Sequence, residues 1–270
     1  MGRARRMGLC LAAVLMTGAI AASAASAVEY EMEGVPEFGR CQPATTPKTG
    51  EYKGSHCLAP AFGKGSYNWS PGPGAKNKFE GTIATTTLET VGKKYVVECS
   101  FGVATGEYTS PKTAAVKLEL VGCINQTTGQ KCQSGPQEAE IEAKFEGELG
   151  FIRGGTKPIV GLDLKPLPAI SFTCGLPPEL PTLVSVTGSA IGAIKPPNSM
   201  RSELKLSYLS MNGKQSPEKF EEGVAQSLSL MRVTGVESTT EAAGLTIIGI
   251  EEKPKPLVVA NEEPIEIKAK

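Results

Sequence analysis

The chain has 270 residues, 28 basic against 28 acidic, with 40% hydrophobic, 21% charged and 6% aromatic residues. Thirty-one glycines and twenty prolines exclude a long-helix or coiled-coil protein, which would be rich in Ala, Glu, Lys and Leu. The balanced charge excludes a strongly basic nucleic-acid binder, and the apolar fraction is too high for a fully disordered chain.

Residues 1–27 read as an export signal. Arg3, Arg5 and Arg6 form a basic start, Leu9–Ala22 is an apolar run, and Ala25-Ser26-Ala27 offers small residues before Val28. The run is shorter than the roughly 20 residues a membrane-spanning helix needs. Cleavage before Val28 removes three arginines and no acid, leaving 25 basic and 28 acidic residues. No second apolar stretch approaches spanning length, so the expected mature chain has no transmembrane segment. It is expected outside the cytoplasm, secreted or associated with the cell envelope.

Residues 28–77 read as a loop-rich segment, punctuated by Gly34-Val35-Pro36, Thr46-Pro47 and Ser70-Pro71-Gly72-Pro73-Gly74. From Lys78 to Lys270 the pattern is strand after strand. Ala139, Ile141, Ala143 and Phe145 alternate with Glu140, Glu142, Lys144 and Glu146. Val116, Leu118 and Leu120 alternate with Lys117 and Glu119, Leu204, Leu206 and Tyr208 with Glu203, Lys205 and Ser207, and Ile265 and Ile267 with Glu266 and Lys268. Period two places apolar groups on one face and charges in water. Further strands are expected at Gly81–Leu88, Tyr95–Phe101, Val160–Leu164, Ala169–Cys174, Leu183–Ile194, Gln226–Val233 and Leu245–Ile250, with a short helical turn near Pro217–Glu222. One-sided alternation with short connections predicts an all-β, antiparallel sandwich or barrel-like fold behind a disulfide-stapled N-terminal segment. The region 78–270 is one β domain or two packed halves, 78–135 and 136–270. The recurrence of Lys-Phe-Glu at 78–80, 144–146 and 219–221 fits either a duplicated unit or chance in a chain this rich in Lys and Glu.

Once Cys10 leaves with the signal, Cys41, Cys57, Cys99, Cys123, Cys132 and Cys174 remain. An even count in an exported chain reads as three disulfides. Six cysteines allow 15 connectivities. Flanking turns favour Cys41–Cys57 and Cys123–Cys132, which leaves Cys99–Cys174. A metal site is not expected, because there is no Cys-x-x-Cys and His56 is the single histidine.

Several strings carry a resemblance: Thr49-Gly50-Glu51-Tyr52 followed by Cys57, Gly65-Ser66-Tyr67-Asn68-Trp69-Ser70-Pro71-Gly72-Pro73, Leu88-Glu89-Thr90-Val91-Gly92, Thr105-Gly106-Glu107-Tyr108, Gly161-Leu162-Asp163-Leu164 and Pro217-Glu218-Lys219-Phe220-Glu221. Together they resemble a family of uncharacterised secreted, disulfide-containing, β-rich proteins of soil actinobacteria. The resemblance spans nearly the whole mature chain. It implies export and a β-rich fold, and it carries no catalytic residues over.

The chain's own chemistry is sparse. Asp163 is the single aspartate, which excludes an aspartic-protease dyad and an Asp-rich calcium loop. A Ser-His-Asp triad would need His56 and Asp163, and no Gly-x-Ser-x-Gly elbow supports one. Glu140 with Glu142, or Glu262 with Glu263, could form a carboxylate pair, but solvated strand faces and a charged tail explain them more simply. No Gly-rich loop between a strand and a helix offers a phosphate cradle. No catalytic residue and no cofactor are assigned. Tyr67 and Trp69 alternate around Asn68, so in an extended chain both rings point the same way. They are the candidate ligand-binding residues, able to stack on sugar rings or a partner surface, or else to anchor the N-terminal segment. The expectation is a non-enzymatic structural or binding module whose partner is cell-wall polysaccharide or an envelope protein, not nucleic acid. The alternative is a secreted hydrolase with an unrecognised active site.

Overall fold

The chain's computed structural model describes residues 36–250 and 256–270. The expected export signal, residues 1–27, and its cleavage point before Val28 lie outside them. The described residues carry nineteen strands and one 3-10 turn, Val91–Lys93. Every pairing between these strands is antiparallel.

The described part of the segment expected to be loop-rich holds four strands: β1 (Glu37–Pro43), β2 (Gly50–Tyr52), β3 (Pro60–Gly65) and β4 (Tyr67–Pro71). Pro43, Pro60 and Pro71 stand at strand ends, where a missing N–H costs no ladder bond. Strands of three to seven residues bounded by proline look like loop in a sequence. Next come β5 (Lys78–Thr90), β6 (Val96–Tyr108), β7 (Thr113–Asn125), the two-residue β8 (Cys132–Gln133), β9 (Glu140–Arg153), β10 (Ile159–Pro166) and β11 (Ile170–Cys174). The chain continues through β12 (Thr182–Thr187), β13 (Ala190–Lys195), β14 (Arg201–Ser207), the hairpin β15 (Leu209–Met211) and β16 (Lys214–Ser216), β17 (Ser229–Thr234), β18 (Glu237–Gly249) and β19 (Leu257–Lys268).

Eight of these close a barrel in the order β5-β6-β7-β9-β10-β13-β14-β19, with β19 returning to β5. Strands of 13 or 14 residues such as β6 and β9 reach about 45 Å, longer than the barrel needs. Their far ends run into a second layer. β5 pairs with β19 through Phe79–Gly81 and with β18 through Ile83–Thr90. The other half of β18 pairs with β17, and the order β18-β17-β12-β11-β8 forms a sheet. Leu88, Val97, Ile141, Phe172, Val186 and Leu245 line a cavity between this sheet and the extended barrel strands. The barrel and the second layer share one hydrophobic core.

Residue 135 is no boundary in this fold, since β7 and β9 pair along nine residues and both build the same barrel. The described residues belong to one compact unit. The Lys-Phe-Glu recurrence has no common setting: its copies open β5, lie inside β9 and fall outside any strand. The run Leu183–Ile194, read as one strand, breaks at Gly188, whose φ is 86°. That backbone turn, favoured by glycine, sends β12 to the outer sheet and β13 to the barrel. Pro217–Glu222 forms no helix. Its Phe220 is buried instead on a saddle of Gly150 and Gly161, which face each other across β9 and β10. A β-carbon at either glycine would overlap the Phe220 ring. Gly150→Ala or Gly161→Ala should therefore displace Phe220 and cost about 1–3 kcal/mol, read as a lower denaturant midpoint with unchanged slope.

All six cysteines form disulfides, and the pairing corrects the expected one. Cys41–Cys57 is present, but the other bonds are Cys99–Cys123 and Cys132–Cys174, not Cys99–Cys174 and Cys123–Cys132. Strand register is the cause. Cys99 stands directly opposite Cys123 on β6 and β7, and Cys132 directly opposite Cys174 on β8 and β11. The bridge Ile124–Lys131 puts Cys123 and Cys132 next in the same row, so four cysteines line up across four strands and each central one bonds outward. Non-reducing peptide mapping should return these three pairs.

Candidate functional site

The two aromatic residues singled out in the sequence lie on β4. Trp69 is opposite Cys41 of β1, and Tyr67 is opposite Pro43 and Tyr52. Their alternation places both on one face, where they pack with the buried Cys41–Cys57 disulfide, Tyr52 and Met200. Both rings are half-buried. The Trp69 indole lies over Gly39, where any β-carbon would overlap it, and its Nε1–H donates to Glu37 Oε1 at 2.7 Å.

The last strand completes the cluster. β1 pairs with the end of β19, setting Glu37 opposite Lys268 and Gly39 opposite Glu266. The Lys268 ammonium donates to the Tyr52 hydroxyl at 2.9 Å. It lies 4.7 Å from the centre of the Tyr52 ring and 5.1 Å from that of Trp69, within cation–π range of both. Glu266 has no exposed surface. Burial pushes its pKa up to about 7, against a smaller downward pull from Lys268. The site is thus an aromatic patch with a cation over two of its rings and a buried carboxyl beside it. Such a patch offers ring edges and faces for stacking and one ammonium for a polar group.

Tyr52, Glu37, Glu266 and Lys268 were not legible as site residues in the sequence. Glu266 and Lys268 look like the wet side of an alternating strand, but β1 pairs against both, and Tyr52 and Trp69 close over Lys268. The sequence signal that existed was the Ile265–Lys268 alternation placed near the chain end.

The other sequence candidates disperse. His56 is exposed in the turn between β2 and β3. Asp163 is on barrel strand β10, with Ser189, Glu148 and Lys165 as the groups acting on it; burial raises its pKa, Ser189 opposes this, and Glu148 adds to it. Glu142 is ion-paired to Lys117 at 3.0 Å and to Lys144 at 3.1 Å on the solvated face, and these lysines hold its pKa down. Glu263 pairs with Arg40 at 3.3 Å, while Glu262 is exposed. The buried Glu89 is used structurally, accepting from Ser210 Oγ at 2.8 Å and from the Gly213 N–H at 2.9 Å to hold the β15–β16 hairpin.

Among the described residues no group of three or more His, Cys, Asp or Glu side chains is placed to hold a metal ion, and no helix is long and apolar enough to cross a membrane. Three disulfides are consistent with an extracellular or secreted protein. No protein-family model, no curated protein and no solved structure matches this chain.

Proposed function

We propose that this chain is a secreted, non-enzymatic β module, structural or binding, that works at the cell envelope or outside the cell through its outer surface. The observation that carries the reading is the filled interior. Phe79, Leu118, Leu162, Ile194, Leu206 and Val259 are among the side chains that pack the barrel, around a residual cavity of about 20 Å³. The space under the second sheet is about 50 Å³. An eight-stranded barrel is just wide enough for its own side chains to fill, and small-molecule sites take roughly 300 Å³ or more. Recognition is thereby left to the surface, where Tyr67 and Trp69 form the aromatic patch and cell-wall polysaccharide or an envelope protein is the partner class.

The test incubates the mature protein with insoluble peptidoglycan and cell-wall polysaccharide, measuring both retention and released fragments. Saturable retention without soluble products is expected, and Tyr67→Ala should weaken it about five-fold, the scale of one lost aromatic contact. Time-dependent release of fragments would replace the reading with that of a secreted hydrolase. Retention untouched by Tyr67→Ala would remove the aromatic patch from it.

A further inference from the structure

The seam between β1 and β19 is short. Three facing pairs make it: Glu37 with Lys268, Phe38 with Ile267 and Gly39 with Glu266. Glu266 is completely buried there, and among the described residues neither of its carboxyl oxygens has a hydrogen-bond partner. A carboxylate buried in this way without a described donor is poorly solvated, so the neutral acid is favoured. The charged groups on the neighbouring strands are paired elsewhere or exposed. On β19 the Lys268 ammonium is held by the Tyr52 hydroxyl of β2 and the Tyr52 and Trp69 rings. On β1, Glu37 accepts from the Trp69 indole of β4. Arg201 of β14, opposite Ile265, is exposed. Arg40 of β1 is paired with Glu263.

We propose that Glu266 is a proton-operated latch on the N-terminal sheet: as the neutral acid it lets β1 and Trp69 close over β19, and as the carboxylate it draws Lys268 off Tyr52 and Trp69 or admits water, loosening the seam. Burial sets the working range, because the pKa lies at about 7 instead of the ordinary 4.5. The folded form holds its proton to higher pH than the unfolded chain does. The contribution to the seam is therefore full below about pH 4.5, falls as pH rises towards 7, and stays low above it.

Trp69 is the chain's single tryptophan, so its emission reports on this seam. Titrating the mature protein from pH 5 to 9 should give one emission transition centred near pH 7. Glu266→Gln should abolish it and keep the acid-side spectrum throughout. Glu37→Gln, which touches the same indole, and His56→Gln, which removes the single imidazole, should both retain it. Should Glu266→Gln fail to fold, hydrogen exchange on the unaltered protein decides. After correction for intrinsic rates, amide protection in β1 should fall about tenfold relative to β6 for each pH unit between 5 and 7. A transition that survives Glu266→Gln, or β1 protection that does not change with pH, would overturn the latch.

Discussion

Replacing Cys132 and Cys174 together by alanine should destabilise the protein more than removing either other disulfide. In the chain-entropy model a cross-link stabilises by restricting the unfolded chain, and the effect grows with the loop it closes. The separations are 42 residues for Cys132–Cys174, 24 for Cys99–Cys123 and 16 for Cys41–Cys57. The model gives about 4, about 3.5 and about 3 kcal/mol respectively. All six cysteines are buried, so the packing loss on truncation is similar for the three pairs. The fold adds a reason for the order. Cys99–Cys123 links a hairpin already paired along eleven residues, whereas Cys132 belongs to a two-residue strand whose register with β11 spans only Gln133 and Cys132. For a chain of this size about 4 kcal/mol corresponds to a fall of about 8–16 °C in melting temperature. Calorimetry on the three double variants checks the ranking; a larger loss for Cys41→Ala/Cys57→Ala would contradict it.

Phe38→Ala should cost about 3–5 kcal/mol, the range for a buried aromatic truncated in a packed core. Phe38 has no exposed surface, and its ring centre lies 4.6 Å from that of Tyr108, which in turn lies 4.9 Å from Phe79. It comes from β1, outside the barrel's own strands, yet it lines the barrel cavity. The substitution removes a ring from that core and an anchor from the N-terminal sheet at once. Phe62→Ala is the control. That ring is 79% exposed, and surface truncations usually stay within about 0.5 kcal/mol. Chemical denaturation should separate the two; equal midpoints would show that β1 contributes nothing to the barrel.

The all-β class and most of the strands from Lys78 onward were legible in the sequence, because side chains on a strand alternate between two environments and the barrel wall is wet on one side and dry on the other. Val116–Leu120 and Ala139–Glu146 illustrate this most clearly, with Leu118 and Ile141 buried and Glu119 and Glu142 exposed. The presence of three disulfides was legible too, from an even cysteine count. Tertiary structure decided what alternation cannot encode. Which cysteines meet depends on register between strands far apart in the chain, so Cys174 found Cys132. Whether a charged residue is wet depends on what docks against it. Glu266 has the neighbours of a solvated strand residue, yet it is buried where β1 pairs against it, and the same docking brings Tyr52 and Trp69 of the N-terminal segment to Lys268 of β19. Local pattern determined most of the strands from Lys78 onward, and the long-range contacts between strands determined the closure of the barrel, the disulfide partners and the burial of a carboxyl beside the aromatic patch.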